Sequence, residues 1–375
     1  MAVSAVEAEA DPRLGLPAQR AEFDRLNAVL IGAGELIDFH PQVLLEMARQ
    51  ATEGAELLFV FNDFEQLQRA RQALGSIDSA ASRVRLGVLP IDTMWMRDYG
   101  PLFVQLPGQE PMIVDADCSL AIEGDGPPDA DNDFPRILAK ASGNSVLSVP
   151  LRVQGGNFLT NGDGLLVSTT ALRDENLHAG LPLETIEAAL KRWFGVSEWI
   201  TVEPLEGEST EHVDIFMTFV DVNVVLVGQY DPEDDPINAA ILDAVAQKLA
   251  KVKTSAGPMQ VHRIWMPPRG GEDLWRTYTN VIYADKTVYV PAYTGIDRAL
   301  QADALDLFAR LLPGWRVVAI PSDSMIPLGG ALRCISMQVP LGMDLGHVFR
   351  SAQDLDEQQG PPEPAEDEQE DPFAT

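Results

Sequence analysis

From Asn27 onward, hydrophobic positions fall into short β-branched runs separated by amphipathic stretches, the pattern of an α/β chain in which strands and helices alternate. The apolar runs predict strands at 28–31, 57–61, 84–89, 102–105, 165–168, 224–228, 287–291 and 317–320. Helical spacing of apolar residues predicts helices at 41–52, 64–74, 134–141, 183–194, 237–251 and 297–311. Asp235-Pro236 and Phe134-Pro135 read as helix openings, because a proline in the first turn gives up only an N–H that has no partner there. Groups of strand, strand, helix and strand recur about five times, at uneven spacing of roughly 50 to 90 residues, which hints at pseudosymmetry without proving a repeat.

Composition narrows the classes of function. With 375 residues and 46% hydrophobic content the chain can bury a large core, and its length admits one large domain or two to three smaller ones. Acids outnumber bases 57 to 27, for a formal charge of -30. Such a surface repels polyanions, so nucleic acid and anionic membrane are poor partners, whereas a small cation or a basic peptide is attracted. No stretch approaches the roughly 18 apolar residues of a membrane helix. The first residues carry Glu7, Glu9 and Asp11 and no apolar segment, so no signal peptide is read and the cytoplasm is the expected location. Residues 351–375 hold nine acids and no base and read as a disordered tail. Cys118 and Cys334 are the only cysteines, with no zinc-type spacing, so neither a disulfide framework nor a zinc site is expected.

Four segments could carry chemistry. His212 and Asp214 lie two apart in Glu-His-Val-Asp-Ile-Phe; as a strand, this segment would put a base and a carboxylate on one face, or simply alternate exposed polar groups. Trp95-Met96-Arg97-Asp98-Tyr99-Gly100-Pro101 packs an aromatic, a charge pair and a turn between two apolar runs, either to place side chains or to fix the turn through an Arg97–Asp98 ion pair. In Gln154-Gly155-Gly156-Asn157 the glycines allow a close backbone approach, or a bulge. Cys334 follows Gly329-Gly330-Ala331-Leu332-Arg333; a lone cysteine in apolar surroundings is usually inert, but the adjacent cation favours a thiolate. Cys118, among Asp115 and Asp117, is the less reactive thiol.

Taken together and in order, these segments resemble the agmatine deiminase and bacterial-type peptidylarginine deiminase family of the guanidino-modifying superfamily. The resemblance rests on 94–101, on 154–157, on His212-Val213-Asp214, on Arg276-Thr277-Tyr278-Thr279-Asn280 and on 329–334, and it spans about 21–340. It implies a single-domain, five-bladed pseudosymmetric α/β propeller of the pentein type over 21–345, between an N-terminal extension (1–20) and the acidic tail. It also implies roles by position: Cys334 as nucleophile, His212 as general acid and base, and Asp98 and Asp214 as carboxylates gripping a guanidinium. Trp95, Gln154, Gly155, Gly156 and Asn280 then line the substrate site. Carboxylates suit a planar, permanently charged guanidinium because they accept its N–H groups in pairs. The implied reaction removes ammonia from agmatine, arginine or peptidyl-arginine through a covalent thiouronium, with no cofactor.

Three positions depart from the family pattern. Gln154 stands where agmatine deiminases commonly have Glu, a departure that weighs against agmatine and is compatible with the peptidylarginine-like branch; Glu211 stands where Gly is common, and Arg333 where His is common. The opposite charges beside His212 and Cys334 predict a Glu211–Arg333 ion pair; the competing expectation has Arg333 acting on the thiolate. The loop 118–128 has Glu123 and Asp125 but no arginine, which fits an amine-bearing substrate better than a C-terminal arginine. An amidinotransferase and a catalytically degenerate guanidinium-binding protein are the alternatives.

Overall fold

Near-continuous apolar runs form strands that are covered on both faces, as parallel strands flanked by helices require. In the computed structural model, which describes residues 18–51, 53–75, 77, 83–118, 129–269 and 274–351, β1 (Leu26–Gly32), β2 (Glu56–Phe61) and β3 (Val84–Val88) run parallel. Helices Gly34–Phe39 and Pro41–Gln50 connect the first pair and helix Phe64–Leu74 the second. Asp63 caps that last helix by accepting from the Gln66 N–H.

The rest of the chain repeats one unit: an antiparallel strand pair, a helical crossover, and a strand returning parallel to the second. β4 (Leu102–Val104), β5 (Met112–Asp117) and β6 (Val146–Arg152) form the first such sheet, across helix Asp129–Ser142. β7 (Leu159–Thr160), β8 (Leu165–Thr169) and β9 (Glu198–Val202) form the next, across Thr170–His178 and Leu183–Phe194. β10 (Met217–Asp221) and β11 (Val224–Gln229) precede helix Pro236–Leu249, the small hairpin β12 (Lys253–Thr254) and β13 (Gly257–Pro258), and the parallel return β14 (Gln260–Trp265). β15 (Ile282–Tyr283), β16 (Thr287–Ala292) and β17 (Arg316–Pro321) repeat it across Arg298–Leu311. Finally β18 (Ser336–Pro340) pairs antiparallel with β1, and β19 (Arg350–Ser351) with β3. Strands from opposite ends of the described chain thereby complete a fifth sheet, in which β18, β1 and β2 repeat the three-stranded unit and β3 and β19 extend it.

This repetition positions the site. Just before the opening strand of each sheet runs a short turn segment, and the five segments are the five sequence motifs: Met96–Tyr99 before β4, Gly155–Asn157 before β7, Val213–Ile215 before β10, 277–280 before β15 and 330–334 before β18.

All eight expected strands and six expected helices form, with ends shifted by a few residues. Asp235 caps the helix opened by Pro236, as read from the sequence. Pro135, however, lies inside helix Asp129–Ser142 and does not open it. The first turn there is Asp-Ala-Asp-Asn-Asp, which has no apolar periodicity to read, although acids suit a helix N-terminus. Strands β5, β6, β9, β10, β14 and β18 escaped the apolar pattern; β6 contains Pro150, and most of β14 is polar or partly exposed. The acidic tail from 352 onward, Glu123 and Asp125 lie outside the described residues, while Ser351, the tail's first expected residue, pairs with β3 in β19. Among the described residues no helix is long and apolar enough to cross a membrane.

Candidate active site

Cys334 ends the segment before β18 and is only 4% exposed. Asn280 holds it: its Oδ1 accepts from the backbone N–H groups of Arg333 (2.8 Å) and Cys334 (3.3 Å), and its Nδ2 donates to Sγ at 3.3 Å. Asn280 is therefore more than a lining residue, because it fixes both the backbone and the sulfur of the cysteine. Thr279 in the same segment donates to the carbonyls of Asp214 (3.3 Å) and Ile215 (3.0 Å), and Arg97 N–H donates to the Cys334 carbonyl at 2.9 Å. Four of the five motifs are thus tied by direct bonds. A Cβ on Gly330 would lie 2.3 Å from the Trp95 ring, so glycine is what allows Trp95 to lie against the cysteine segment.

The fifth motif supplies the surroundings of the histidine. A Cβ on Gly156 would fall 2.3 Å from His212 Nδ1 and 2.8 Å from Asp98 Oδ1, so only glycine leaves room for the two side chains. Its N–H donates to Asp98 Oδ1 at 3.3 Å, and that oxygen lies 3.6 Å from His212 Nδ1. On the far side of the ring, Nε2 is 2.6 Å from Gln154 Oε1, while Gln154 Nε2 donates to the Cys118 carbonyl at 3.2 Å. Because the amide nitrogen is committed to a carbonyl, Oε1 must accept, which assigns the proton to His212 Nε2 and leaves Nδ1 facing Asp98.

His212 and Asp214 do not alternate on a strand. His212 immediately precedes a 3-10 turn, Val213–Ile215, Asp214 is its central residue, and both are buried. Asp214 Oδ2 accepts from Arg333 Nη1 at 2.7 Å; its Oδ1 is buried with no hydrogen-bond partner.

Arg333 corrects the largest expectation. Its side chain is wholly buried and pairs with Asp214 and Glu22, the latter through Nη2 (2.6 Å) and Nε (3.1 Å). Glu211 is exposed, and its backbone sits at φ 56. The Glu211–Arg333 pair does not form, because Arg333 turns inward to Glu22 and Asp214 while Glu211 lies at the surface. Nor does Arg97 pair with Asp98: its Nη1 reaches Glu22 Oε1 at 3.1 Å and its Nη2 reaches Gln338 at 2.5 Å. Two buried arginines thus share one glutamate. Glu22 was not singled out from the sequence, since no motif surrounds it and both motif arginines already had a neighbouring anion to pair with.

The electrostatics follow from burial. The Cys334 thiol is pushed well above its ordinary value by burial and then by Asp214 and Asp98, against weaker help from the Ala331 N–H and Asn280, so Arg333 does not produce a thiolate. Burial also lifts Cys118, to about 12, with Asp117 adding to the effect. Burial raises Asp98 too, although His212 opposes it. Glu208, equally unmarked in the sequence, is buried near His212 and accepts from the Thr210 N–H (3.0 Å) and Oγ1 (2.8 Å); burial raises its carboxyl. Among the described residues no cluster of His, Cys, Asp or Glu is placed to hold a metal.

Residues 33–340 match the family described as Porphyromonas-type peptidyl-arginine deiminase. A Legionella pneumophila protein provisionally named an agmatine deiminase is 28% identical over 296 residues, covering 72% of this chain and 81% of its own. A Yersinia pseudotuberculosis protein with the same provisional name is 26% identical over 287 residues, covering 69% and 78%. Among solved structures, a protein from Porphyromonas gingivalis provisionally described as an arginine deiminase superposes with TM-score 0.74 at 26% identity, over 87% of this chain and 99% of that one. The agmatine deiminase of Enterococcus faecalis gives TM-score 0.74 at 20% identity, over 87% and 96%, which is a likeness of fold.

Proposed function

Because this chain belongs to the Porphyromonas-type peptidyl-arginine deiminase family, we propose that it hydrolyses a guanidino group through a covalent adduct on Cys334, yielding ammonia and a ureido product. The family's members are hydrolases of C–N bonds in linear amidines, and the chain is an enzyme of that type. The observation that carries the reading is Asp214 Oδ1, a wholly buried carboxylate oxygen without a partner, close enough to Cys334 to raise its thiol. A buried orphan acceptor costs free energy that a bound donor recovers, and the N–H groups of a guanidinium are such donors.

Asp98 and Asp214 grip the cation. Its charge offsets the negative field that keeps Cys334 protonated, so substrate binding itself favours the thiolate. The thiol proton passes to His212 Nδ1, sulfur bonds to the guanidinium carbon, and the histidine returns the proton to a departing nitrogen, which leaves as ammonia. His212 Nδ1 then takes a proton from water as the water oxygen attacks the thiouronium; the C–S bond breaks, the sulfur recovers that proton from the imidazolium, and the hydroxyl proton of the product is released to solvent, leaving the neutral ureido group. Gln154 keeps Nδ1 as the working nitrogen throughout.

The five sheets are read as the blades of a pentein-type propeller within one catalytic domain, 21–345, whose axis carries the five turn segments. For the substrate we favour an agmatine-like guanidine bearing a second cation. The names of the relatives and the carboxylates Glu175, Glu208 and Glu211 around His212 support this choice.

The test is ammonia release from agmatine, free arginine and arginine-containing peptides, with and without an added amine acceptor. Ammonia and a ureido product from agmatine first is the expected result. Transfer of the amidino group to the acceptor would make the chain an amidinotransferase. No turnover, together with no labelling of Cys334 by a haloacetamidine, would make it a binding protein.

A further inference from the structure

We infer that Glu22, outside every motif, is a positioning residue of this site: it holds the Arg333 guanidinium so that one oxygen of Asp214 remains open to the substrate. The inference rests on the reading of Asp214 as a guanidinium ligand. Arg333 is itself a guanidinium, buried against the carboxylate that would receive the substrate's. What separates a support from a competitor is the number of Asp214 oxygens it takes.

The geometry shows how that number is set. Arg333 offers its Nε–Nη2 edge, the fork that matches a carboxylate, to Glu22, at 3.1 Å and 2.6 Å to Oε1 and 3.2 Å from Nε to Oε2. Only Nη1 remains for the site, donating to Asp214 Oδ2 at 2.7 Å and to the Gly155 carbonyl at 3.3 Å. Asp214 is thereby fixed at one oxygen while Oδ1 stays unpartnered. Glu22 also takes Nη1 of Arg97 at 3.1 Å, so a single carboxylate orders both buried arginines. The surrounding charges agree with this arrangement. Burial alone would raise Glu22, yet Arg333 and Arg97 outweigh it and hold the carboxyl below its ordinary value. Arg97, buried and beside Arg333, is lowered to about 10.

Without the Glu22 charge, the Arg333 fork has one carboxylate left within reach, Asp214. A bidentate pair there is the stronger form, and it would cover Oδ1. An internal guanidinium would then compete with the substrate for its own ligand. The neighbouring side of Glu22 is a small cavity of about 30 Å³, lined by Gln19, Arg20, Leu26 and Gln338 among others, which offers no second anion to take its place.

The experiment compares Glu22→Gln, Glu22→Asp and the double variant Glu22→Gln/Arg333→Lys with the wild type on whichever guanidino compound the wild type turns over. Lysine keeps the charge but lacks the planar two-nitrogen fork that matches a carboxylate, so it cannot form the parallel pair on both oxygens. Glu22→Gln should raise KM by about tenfold or more, the worth of one charge-assisted contact, with kcat within about threefold. Glu22→Asp should be intermediate, and the double variant should recover most of the KM. A crystal structure of Glu22→Gln should show Arg333 nitrogens on both Asp214 oxygens. An unchanged KM, or a double variant no better than the single, would overturn the proposal, as would a structure in which Arg333 still touches Oδ2 alone. Should Glu22→Gln fail to fold, Glu22→Asp and Arg333→Lys alone give the same KM comparison. A wild type inactive on every guanidino compound would instead remove the functional reading, and the crystal structure would still decide the role of Glu22.

Discussion

Gln154 clamps His212 from behind: its side-chain carbonyl sits 2.6 Å from Nε2 while its amide nitrogen is committed to the Cys118 carbonyl. A neutral amide thus sets the tautomer without contributing a charge. Replacing Gln154 with leucine should lower kcat about tenfold, the worth of one good hydrogen bond, with little change in KM. Gln154→Glu should instead move the acidic limb of the pH–activity profile to higher pH, since a carboxylate at Nε2 favours the imidazolium, which cannot take the thiol proton. Unchanged profiles in both variants would show that the clamp has no part in the chemistry.

The two aspartates should separate under substitution. Asp98 is 27% exposed, and its folded carboxyl is raised by burial, so the native state holds that proton more tightly than the unfolded chain. Its charge therefore opposes folding above the folded value, and that cost disappears below the unfolded value near 3.8. Asp98→Asn should cost activity while leaving the melting temperature at neutral pH unchanged or higher. Asp214→Asn removes a buried partner of Arg333 and should cost on the order of 3–5 kcal/mol of stability as well as activity. Equal melting temperatures for the two variants would contradict the buried pairing.

Much of this site was legible in the sequence because each of its five segments is short and chemically unusual, and because turn segments ahead of apolar strands carry side chains that packing does not explain. What was not legible was direction. Arg333 adjoins Cys334 and Glu211 adjoins His212, so charge alone suggested that they pair. Backbone geometry instead turns Arg333 inward to Asp214 and to Glu22, a residue 311 positions away in sequence. Strand periodicity likewise suggested a shared face for His212 and Asp214, which in fact come together through a 3-10 turn. The strands that escaped the pattern include β10, buried on both faces, and β14, exposed or partly exposed along most of its length. Neither shows the alternation that marks a half-buried strand.

The cysteines should behave as one reactive and one structural thiol. Cys334→Ser should abolish turnover with little change in melting temperature, because Asn280 can donate to an oxygen as to sulfur. Cys118→Ser should retain most activity, since Cys118 is buried against Asn132 and meets the site only through its backbone carbonyl. Loss of activity in the second variant alone would reverse the assignment.

The last expectation concerns the resting state of Cys334. Its thiol is raised well above the ordinary value by burial and by the negative field of Asp214 and Asp98, so at neutral pH the substrate-free enzyme holds a thiol and little thiolate. A thiolate is the nucleophile, so alkylation by neutral iodoacetamide should be slow at pH 7 and should still be rising beyond pH 9 without a plateau. A cationic reagent such as a haloacetamidine changes the balance. Seated between the aspartates, its positive charge cancels part of the field that holds the proton, so the thiolate becomes accessible at lower pH. Rates for the haloacetamidine should therefore plateau at a lower pH than those for iodoacetamide, and Asp98→Asn should shrink the gap by weakening both the field and the grip on the cation. The measurement is the pH dependence of inactivation by both reagents, with mass spectrometry placing the adduct on Cys334. If both reagents share one profile with a plateau near neutral pH, the free enzyme already holds a thiolate, and activation by the substrate's own charge is ruled out.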